Sequence, residues 1–397
     1  MTSRFDVLMT DTLFQPFAFA NGLTLRNRVV MAPMTTWSAN PDGTISEQEL
    51  AYYRARAQGV GLVLTGCTHV QPSGLGFTDE FAAYDDRFIP SLRKLAQAAK
   101  SGGAPAVLQI FHAGNKAVPS LIPKGELVSA SSLAAPKGPF NDGKLASRAL
   151  SHEEILTVIR DFGEATRRAI DAGFDGVELH GAHGFLIQNF LSPLFNQRTD
   201  SWGGSLESRM RFPLEVVREV RRVIAAHAKR PFLLGYRISP EEPGEGALRI
   251  GGALALVDKL LEEGQIDYLH ASLYDLLTGK PQHSGLEDES AKTTAEYFIE
   301  RVAGRVPLLA AGQIRTPDQA RRALALGLPL VAVGKGLVMN ARWVELAHAG
   351  RDQEIDTASN LSGEADDLQV PDKLWAAISA TPGWFPVRDE SEDLAEA

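Results

Sequence analysis

The chain of 397 residues is short of several things, and each absence narrows what it can be. It has a single cysteine, Cys67, so no internal disulfide can form and no cysteine cluster can hold zinc or an iron–sulfur centre. A reducing, cytoplasmic setting is expected. No stretch approaches about 18 uninterrupted apolar residues, and the opening MTSRFDVLMTDTLFQPF carries no apolar core of signal-peptide length. Neither a membrane span nor a secretory leader is expected. Runs of Lys and Arg are also missing, and the formal net charge is -9, which argues against a nucleic-acid or anionic-membrane partner. Finally, no Gly-x-Gly-x-x-Gly follows the first strand-like run, so the phosphate-cradling turn of a dinucleotide-binding open sheet is not there.

What the chain does have is a repeat of short apolar runs with amphipathic helical patterns between them. The runs are RVVMAPM (28–34), GLVLTGC (61–67), PAVLQIF (105–111), DGVELH (175–180), PFLLGYRI (231–238), DYLHAS (267–272), PLLAAG (307–312) and LVAVG (330–334). Their near-continuous apolarity suits strands covered on both faces of a parallel sheet, with the helices as crossovers. Ser46, with Glu49 three residues on, marks one helix start as a capping box. Strand and helix repeated eight times predict an α/β fold of the (β/α)8 TIM-barrel type; the competitor, a doubly wound open sheet, is disfavoured by the missing glycine fingerprint.

Additions to the barrel are visible as well. PFAFANGLTL alternates around Asn21-Gly22 and predicts a hairpin capping the barrel bottom. The barrel is expected over residues 1–350, with a Pro/Gly/Ser-punctuated insertion after the third strand (112–150) read as a lid. Residues 351–397 form a C-terminal extension whose acidic end, RDESEDLAEA, is expected to be mobile. Trp375, Trp384 and Phe385 precede that end and could dock on this or another subunit.

In a barrel of this kind the functional groups stand at the C-terminal ends of the strands. Here those ends are polar: Thr35 and Thr36, Cys67 and Thr68, Gln109 and His112, His180 and His183, Arg237, then His270, Ser272 and Tyr274, Gly312 and Gln313, Gly334 and Lys335. Gly-Gln and Gly-Lys at the last two ends offer backbone N–H groups and a cation to a phosphate. Arg237 adds a permanent charge that could reach a phosphate or an electron-rich ring.

The pair His180 and His183 in ELHGAHGF admits three readings: satisfied structural side chains, two ligands of a metal, or two N–H donors aimed at one oxygen on which charge develops. No carboxylate or cysteine accompanies them in that turn as a further ligand, which disfavours the metal. The phosphate site beside them favours the donors. A flavin-free aldolase or isomerase barrel would want a Schiff-base lysine or a carboxylate base at a strand end, and the only lysine among these ends is Lys335, in the phosphate site.

The stretch HGAHGFLIQNFLSPLFNQRTDSWGGSLESRMRFPLEVVREV (180–220) resembles the signature of the old yellow enzyme family of FMN-dependent NAD(P)H oxidoreductases and ene reductases. LTLRNRVVMAPMTTWSANPDGTISEQELAYYRARAQGVGLVLTGC, VLQIFHAGNKA, LLAAGQIRTPDQA and VAVGKGLVMN extend the resemblance over nearly the whole barrel. It implies that Ala32, Pro33, Met34 and Thr35 line the flavin, the Thr35 hydroxyl lying near the carbonyl that tunes its potential. It implies Cys67 next to the ring, Gln109 on the pyrimidine edge and Arg237 on the N1 side and ribityl chain. Gly312, Gln313, Gly334 and Lys335 would hold the phosphate. His180, which also borders the cofactor, and His183 would bind the activating oxygen of the substrate, and Trp37 would wall the pocket.

The implied reaction takes hydride from NADH or NADPH through FMN to the β-carbon of an activated alkene such as an enone, maleimide or nitroalkene. Nicotinamide docks over the same flavin face, so the missing dinucleotide fingerprint is expected. Family members are often dimers or tetramers, which leaves a homo-oligomer open. A tyrosine normally protonates the α-carbon, and here that position is Phe185, which has no proton to give. Water or another side chain must serve; Tyr274 is one candidate donor, its competing reading a pocket wall. An FMN-dependent alkene isomerase, a quinone or other FMN reductase, and a non-catalytic flavoprotein are the alternatives. Three further departures stand out: Asn115 where HAG is usually followed by Arg, Lys335 for the phosphate-site Arg, which loses the bidentate fork, and Asn340-Ala341 for the usual Asp-Pro.

Overall fold

The computed structural model describes residues 11–138, 142–282, 292–358 and 368–386. Eight parallel strands form the barrel: β1 (Val29–Met31), β2 (Leu62–Leu64), β3 (Ala106–Phe111), β4 (Gly176–Gly181), β5 (Leu233–Ile238), β6 (Tyr268–Ser272), β7 (Leu308–Ala311) and β8 (Leu330–Val333). Each pairs with the next, and Val331 of β8 lies opposite Val29 of β1, which closes the ring. A closed (β/α)8 barrel therefore replaces the open-sheet alternative.

All eight apolar runs became strands, and the trimmed ends have local causes. β1 stops at Met31, ahead of Pro33, which has no N–H for the ladder. β2 stops at Leu64, where the Gly66 N–H leaves the sheet to bond the Tyr53 hydroxyl at 2.8 Å. Every residue of β1 to β5 is buried, whereas Ser272 and Ala311, the last residues of β6 and β7, are half-buried at the rim that carries the polar side chains.

Helix starts follow the sequence signals. Ser46 and Glu49 form the expected reciprocal capping box on the helix Glu47–Arg56, and the device recurs at Ser151/Glu154, Thr293/Glu296 and Thr316/Gln319. The Asn21-Gly22 hairpin pairs Phe17–Ala18 with Thr24–Leu25, with Gly22 at φ +90°. Its Phe19 and Leu25 pack on Val30, Leu62, Val107, Leu233, Tyr268, Leu309 and Leu330. These lie in the lower halves of the strands, so the hairpin plugs the barrel bottom. Phe19→Ala opens that plug and is expected to cost about 3–5 kcal/mol, read as a lower thermal midpoint; a shift within error would mean the hairpin is ornamental.

The insertion after β3 packs onto the site. Val128–Ser129 pairs with Arg148–Ala149, and Ala113, Ala117, Ile122, Leu127 and Ala135 form one cluster with Phe111 and Phe185. The C-terminal extension is docked through residues 368–386. The helix Asp372–Ala380 buries Leu374 and Ile378, and the buried Arg56 guanidinium donates to the carbonyls of Val338 and Leu368 at 2.8 and 2.9 Å. The acidic end, residues 387–397, lies outside the described residues.

Candidate active site

Two cavities of about 340 Å³ each open at the C-terminal rim, and they share Pro33, Met34, Arg237 and Lys335. They form one trough. One end is lined by Gly312, Gln313, Arg315 and Gly334. The other is lined by Thr35, Trp37, Cys67, Gln109, His180, His183 and Phe185. Most of the rim residues that the sequence singled out line this trough; Thr36, Thr68, His112, His270 and Ser272 do not, Thr36 being turned to Glu49, His112 to Ser73 and His270 to Glu178.

At the second end the paired histidines stand at the tip of β4 with ring centroids 4.8 Å apart and planes at 75°. His180 is buried, and its Nδ1 accepts from the Ala182 N–H at 3.3 Å, which puts the proton of the neutral ring on Nε2. Burial first, then His183 and Arg237, hold its pKa well below the ordinary histidine value. His183 sits in the left-handed region at φ +60°, and its Nε2 lies 2.7 Å from the Ser272 hydroxyl. Since Ser272 accepts from Arg237 at 3.2 Å, its own proton suits the His183 Nε2, and the tautomer consistent with this carries hydrogen on Nδ1. The pair can therefore present two neutral N–H donors.

Phe185 packs edge-on against His180 and Phe111, each at 4.9 Å between centroids. Among the described residues lining this end of the trough, Thr35 is the one that carries a hydroxyl. Tyr274 is 89% exposed and lines the other end of the trough rather than the histidine end. Cys67 lies 3.6 Å from the Thr35 hydroxyl, and burial pushes its thiol well up, so it is a neutral, polarisable wall.

Sequence reasoning missed several groups. Glu178, inside β4, is fully buried and accepts from Gln109 Nε2 at 2.7 Å, the Tyr268 hydroxyl at 3.0 Å and His270 Nδ1 at 2.9 Å. Burial alone would raise its pKa, but His270, Arg237 and Gln109 outweigh that and hold it below the ordinary carboxylate value. Its charge balances the buried Arg237, and its bond to Gln109 fixes the amide orientation, leaving the carbonyl oxygen and one N–H. Lys116, in the quoted HAGNKA, donates to the His183 carbonyl at 2.6 Å and lies 5.9 Å from the Phe185 ring centroid. Arg315, three residues after the β7-end Gly312, holds the Gln313 side chain at 2.9 Å. The sequence assigned the phosphate-end cation to Lys335, but the Lys335 ammonium donates to the Trp384 carbonyl at 2.5 Å. Asn115 is buried, and its side-chain oxygen has no hydrogen-bond partner.

The trough fits FMN. The Nε atoms of Arg237 and Arg315 are both buried and unpartnered, so each end retains a cationic N–H for an anionic or electron-rich group. Gly334 begins a short helix at the phosphate end, where a Cβ would crowd Met34 Sδ at 3.3 Å. Gly312 has a different reason to be glycine, because a Cβ there would meet the Leu276 nitrogen at 2.7 Å. Among the described residues no group of three His, Cys, Asp or Glu comes together as metal ligands.

Residues 12–354 match the profile of the NADH:flavin oxidoreductase / NADH oxidase family. The chain belongs to the old yellow enzyme family. Its similarity to a probable NADH-dependent flavin oxidoreductase of Bacillus subtilis (strain 168) is 44% identity over 377 residues, covering 95% of this chain and 98% of that one. An NADH:fumarate oxidoreductase of Klebsiella pneumoniae (strain 342) is 37% identical over 92% of this chain, which spans only 38% of that longer protein. Among solved structures, a single-residue mutant of morphinone reductase in complex with tetrahydroNAD superposes with a TM-score of 0.71 at 29% identity, covering 85% of this chain and 91% of that one. As a member of this family the chain is an FMN-containing, NAD(P)H-dependent oxidoreductase, and the flavin-free barrel is set aside. Among the described residues no helix is long and apolar enough to cross a membrane.

Proposed function

We propose that this old yellow enzyme member reduces activated alkenes, with the His180/His183 pair as the clamp on the activating oxygen. The observation that carries the reading is the shared cavity: two N–H donors at one wall, and Thr35, Cys67, Gln109 and Arg237 at another. Relatives named for fumarate and morphinone support it, since both molecules hold a C=C conjugated to a carbonyl.

Bound FMN, reduced by NAD(P)H, supplies hydride to the β-carbon of the alkene. The protein's part is electrostatic and positional. His180 Nε2–H and His183 Nδ1–H stabilise the negative charge that grows on the carbonyl or nitro oxygen as hydride arrives. Gln109, steadied by Glu178, and Arg237 would hold the polar part of the flavin, Ala32, Pro33 and Met34 would support it, and Thr35 and Cys67 would lie beside it. Gln313, Gly334 and Arg315 hold the phosphate. Trp37 walls the substrate side. Arg315→Gln removes a charged donor and is expected to weaken FMN binding by roughly 10–100-fold, measured by equilibrium dialysis against free FMN; an unchanged affinity would put the phosphate elsewhere.

Phe185 makes the second hydrogen the slow part. Its ring has no proton, and the proton comes from solvent or a neighbouring side chain. The same feature favours a second reading, alkene isomerisation, in which the hydride returns before protonation. Mixing prereduced protein with 2-cyclohexenone in the absence of oxygen tests the reduction, and an acyclic Z-enone, whose geometry can change, tests the isomerisation. Stoichiometric flavin reoxidation with formation of cyclohexanone is expected; flavin that stays reduced, with the enone untouched, would rule the proposed reaction out.

A further inference from the structure

One wall of the substrate-side cavity comes from outside the barrel. Trp384, in the C-terminal extension, lines that cavity together with Trp37, Phe77 and Phe185. The four rings form a continuous edge-to-face chain. Trp384 meets Trp37 at 5.6 Å and 84°, Trp37 meets Phe77 at 5.8 Å and 86°, and Phe77 meets Phe185 at 6.1 Å and 79°. The far end of the chain is Phe185, packed on His180. Trp37 reaches its two partners from an uncommon backbone conformation, φ +49°.

Trp384 is held in place from both sides. Its carbonyl accepts from Lys335 Nζ, the following Phe385 is 2% exposed, and the Lys335 ammonium lies 5.5 Å from the Phe385 ring centroid. Lys335 therefore links the tip of β8 to the segment that carries the fourth ring. A lysine suits this, because a compact ammonium on a flexible stem reaches a lone carbonyl, whereas a planar guanidinium is built for two parallel bonds to an anion.

We propose that Trp384, positioned by Lys335, determines substrate choice, selecting flat activated alkenes that carry an aryl group over those with a small alkyl group. This rests on the ene-reductase reading above. Ring edges and faces turned toward one cavity attract a further aromatic ring in offset or edge-on geometry, while a methyl group leaves most of that surface unmatched. The histidine clamp fixes the oxygen, so an aryl substituent on the far side of the C=C projects toward the aromatic walls.

The test uses the oxidised, FMN-loaded protein without reductant, so that binding is read apart from turnover. Dissociation constants are measured for 4-phenyl-3-buten-2-one and 3-penten-2-one, which differ only in phenyl for methyl, from the change in visible flavin absorption, with FMN content determined for each preparation. Trp384→Ala is expected to weaken the phenyl enone by about tenfold, the size of one aromatic pair, and the methyl enone by less than about threefold. Trp384→Phe keeps most of the preference, and Lys335→Met, which leaves the ring but frees its segment, loses part of it. Equal changes for both enones, or none, would overturn the assignment and leave Trp384 a structural plug. Should Trp384→Ala fail to fold, the phenylalanine and methionine variants still decide: a selectivity indifferent to Lys335→Met contradicts the positioning role. Turnover of the unaltered protein with the same two enones tests the underlying reading separately, since binding without reduction defeats that reading and leaves the selectivity result standing.

Discussion

Replacing His180 by alanine is expected to slow enone-dependent reoxidation of the prereduced protein by about 10²–10³-fold, the usual cost of removing one preorganised donor to a developing oxyanion. The loss belongs to the chemical step more than to binding, because the donor meets most of its charge only as hydride arrives. His183→Ala is expected in the same direction. The clamp does not titrate near neutrality: the folded pKa of His180 lies below that of the unfolded chain, about 6.5. The sign for stability follows. Below about 6.5 the unfolded chain takes up the proton first, so His180 makes the fold less stable as pH falls through that range and costs nothing above it. A rate for His180→Ala within tenfold of the unaltered protein would remove the pair from the reaction.

Phe185→Tyr is the second large effect, in the opposite direction. A positioned general acid is typically worth about 10²–10⁴ in rate, and the edge-on seat of Phe185 against His180 puts a ring at the clamp where a hydroxyl would be useful. Reoxidation by 2-cyclohexenone is expected to rise by up to about 10²-fold. An unchanged rate would mean that a donor already serves. Lys116, 5.9 Å from the ring centroid and fixed on the His183 carbonyl, then becomes the group to replace.

The fold and the pairing of His180 with His183 were legible because their signals are local. A buried strand is a run of apolar residues whatever it pairs with, and His180 and His183 lie three apart on one turn. What escaped is long-range pairing. Glu178 is quoted in the same motif, yet its meaning comes from Gln109, Tyr268 and His270, which lie 69, 90 and 92 residues away. Lys335 was legible as a rim cation because it follows a strand-end glycine; its bond to the Trp384 carbonyl, 49 residues on, was not. The short helix Leu186–Leu191 and the two-residue strand Thr68–His69 also went unseen, each too brief to leave a period in the sequence. Tyr274 was open to two readings, donor and pocket wall. Strand-end position alone suggested a proton donor, but the rim is wide, and this tyrosine faces the phosphate end.

The most direct measurement is anaerobic turnover of 2-cyclohexenone with NADH and with NADPH, following nicotinamide and alkene together. One nicotinamide oxidised for each alkene reduced, by yellow protein that releases FMN on denaturation, is the result expected. Oxidation of nicotinamide with the alkene intact, or a change in the alkene without net consumption of nicotinamide, would contradict reduction at the histidine clamp.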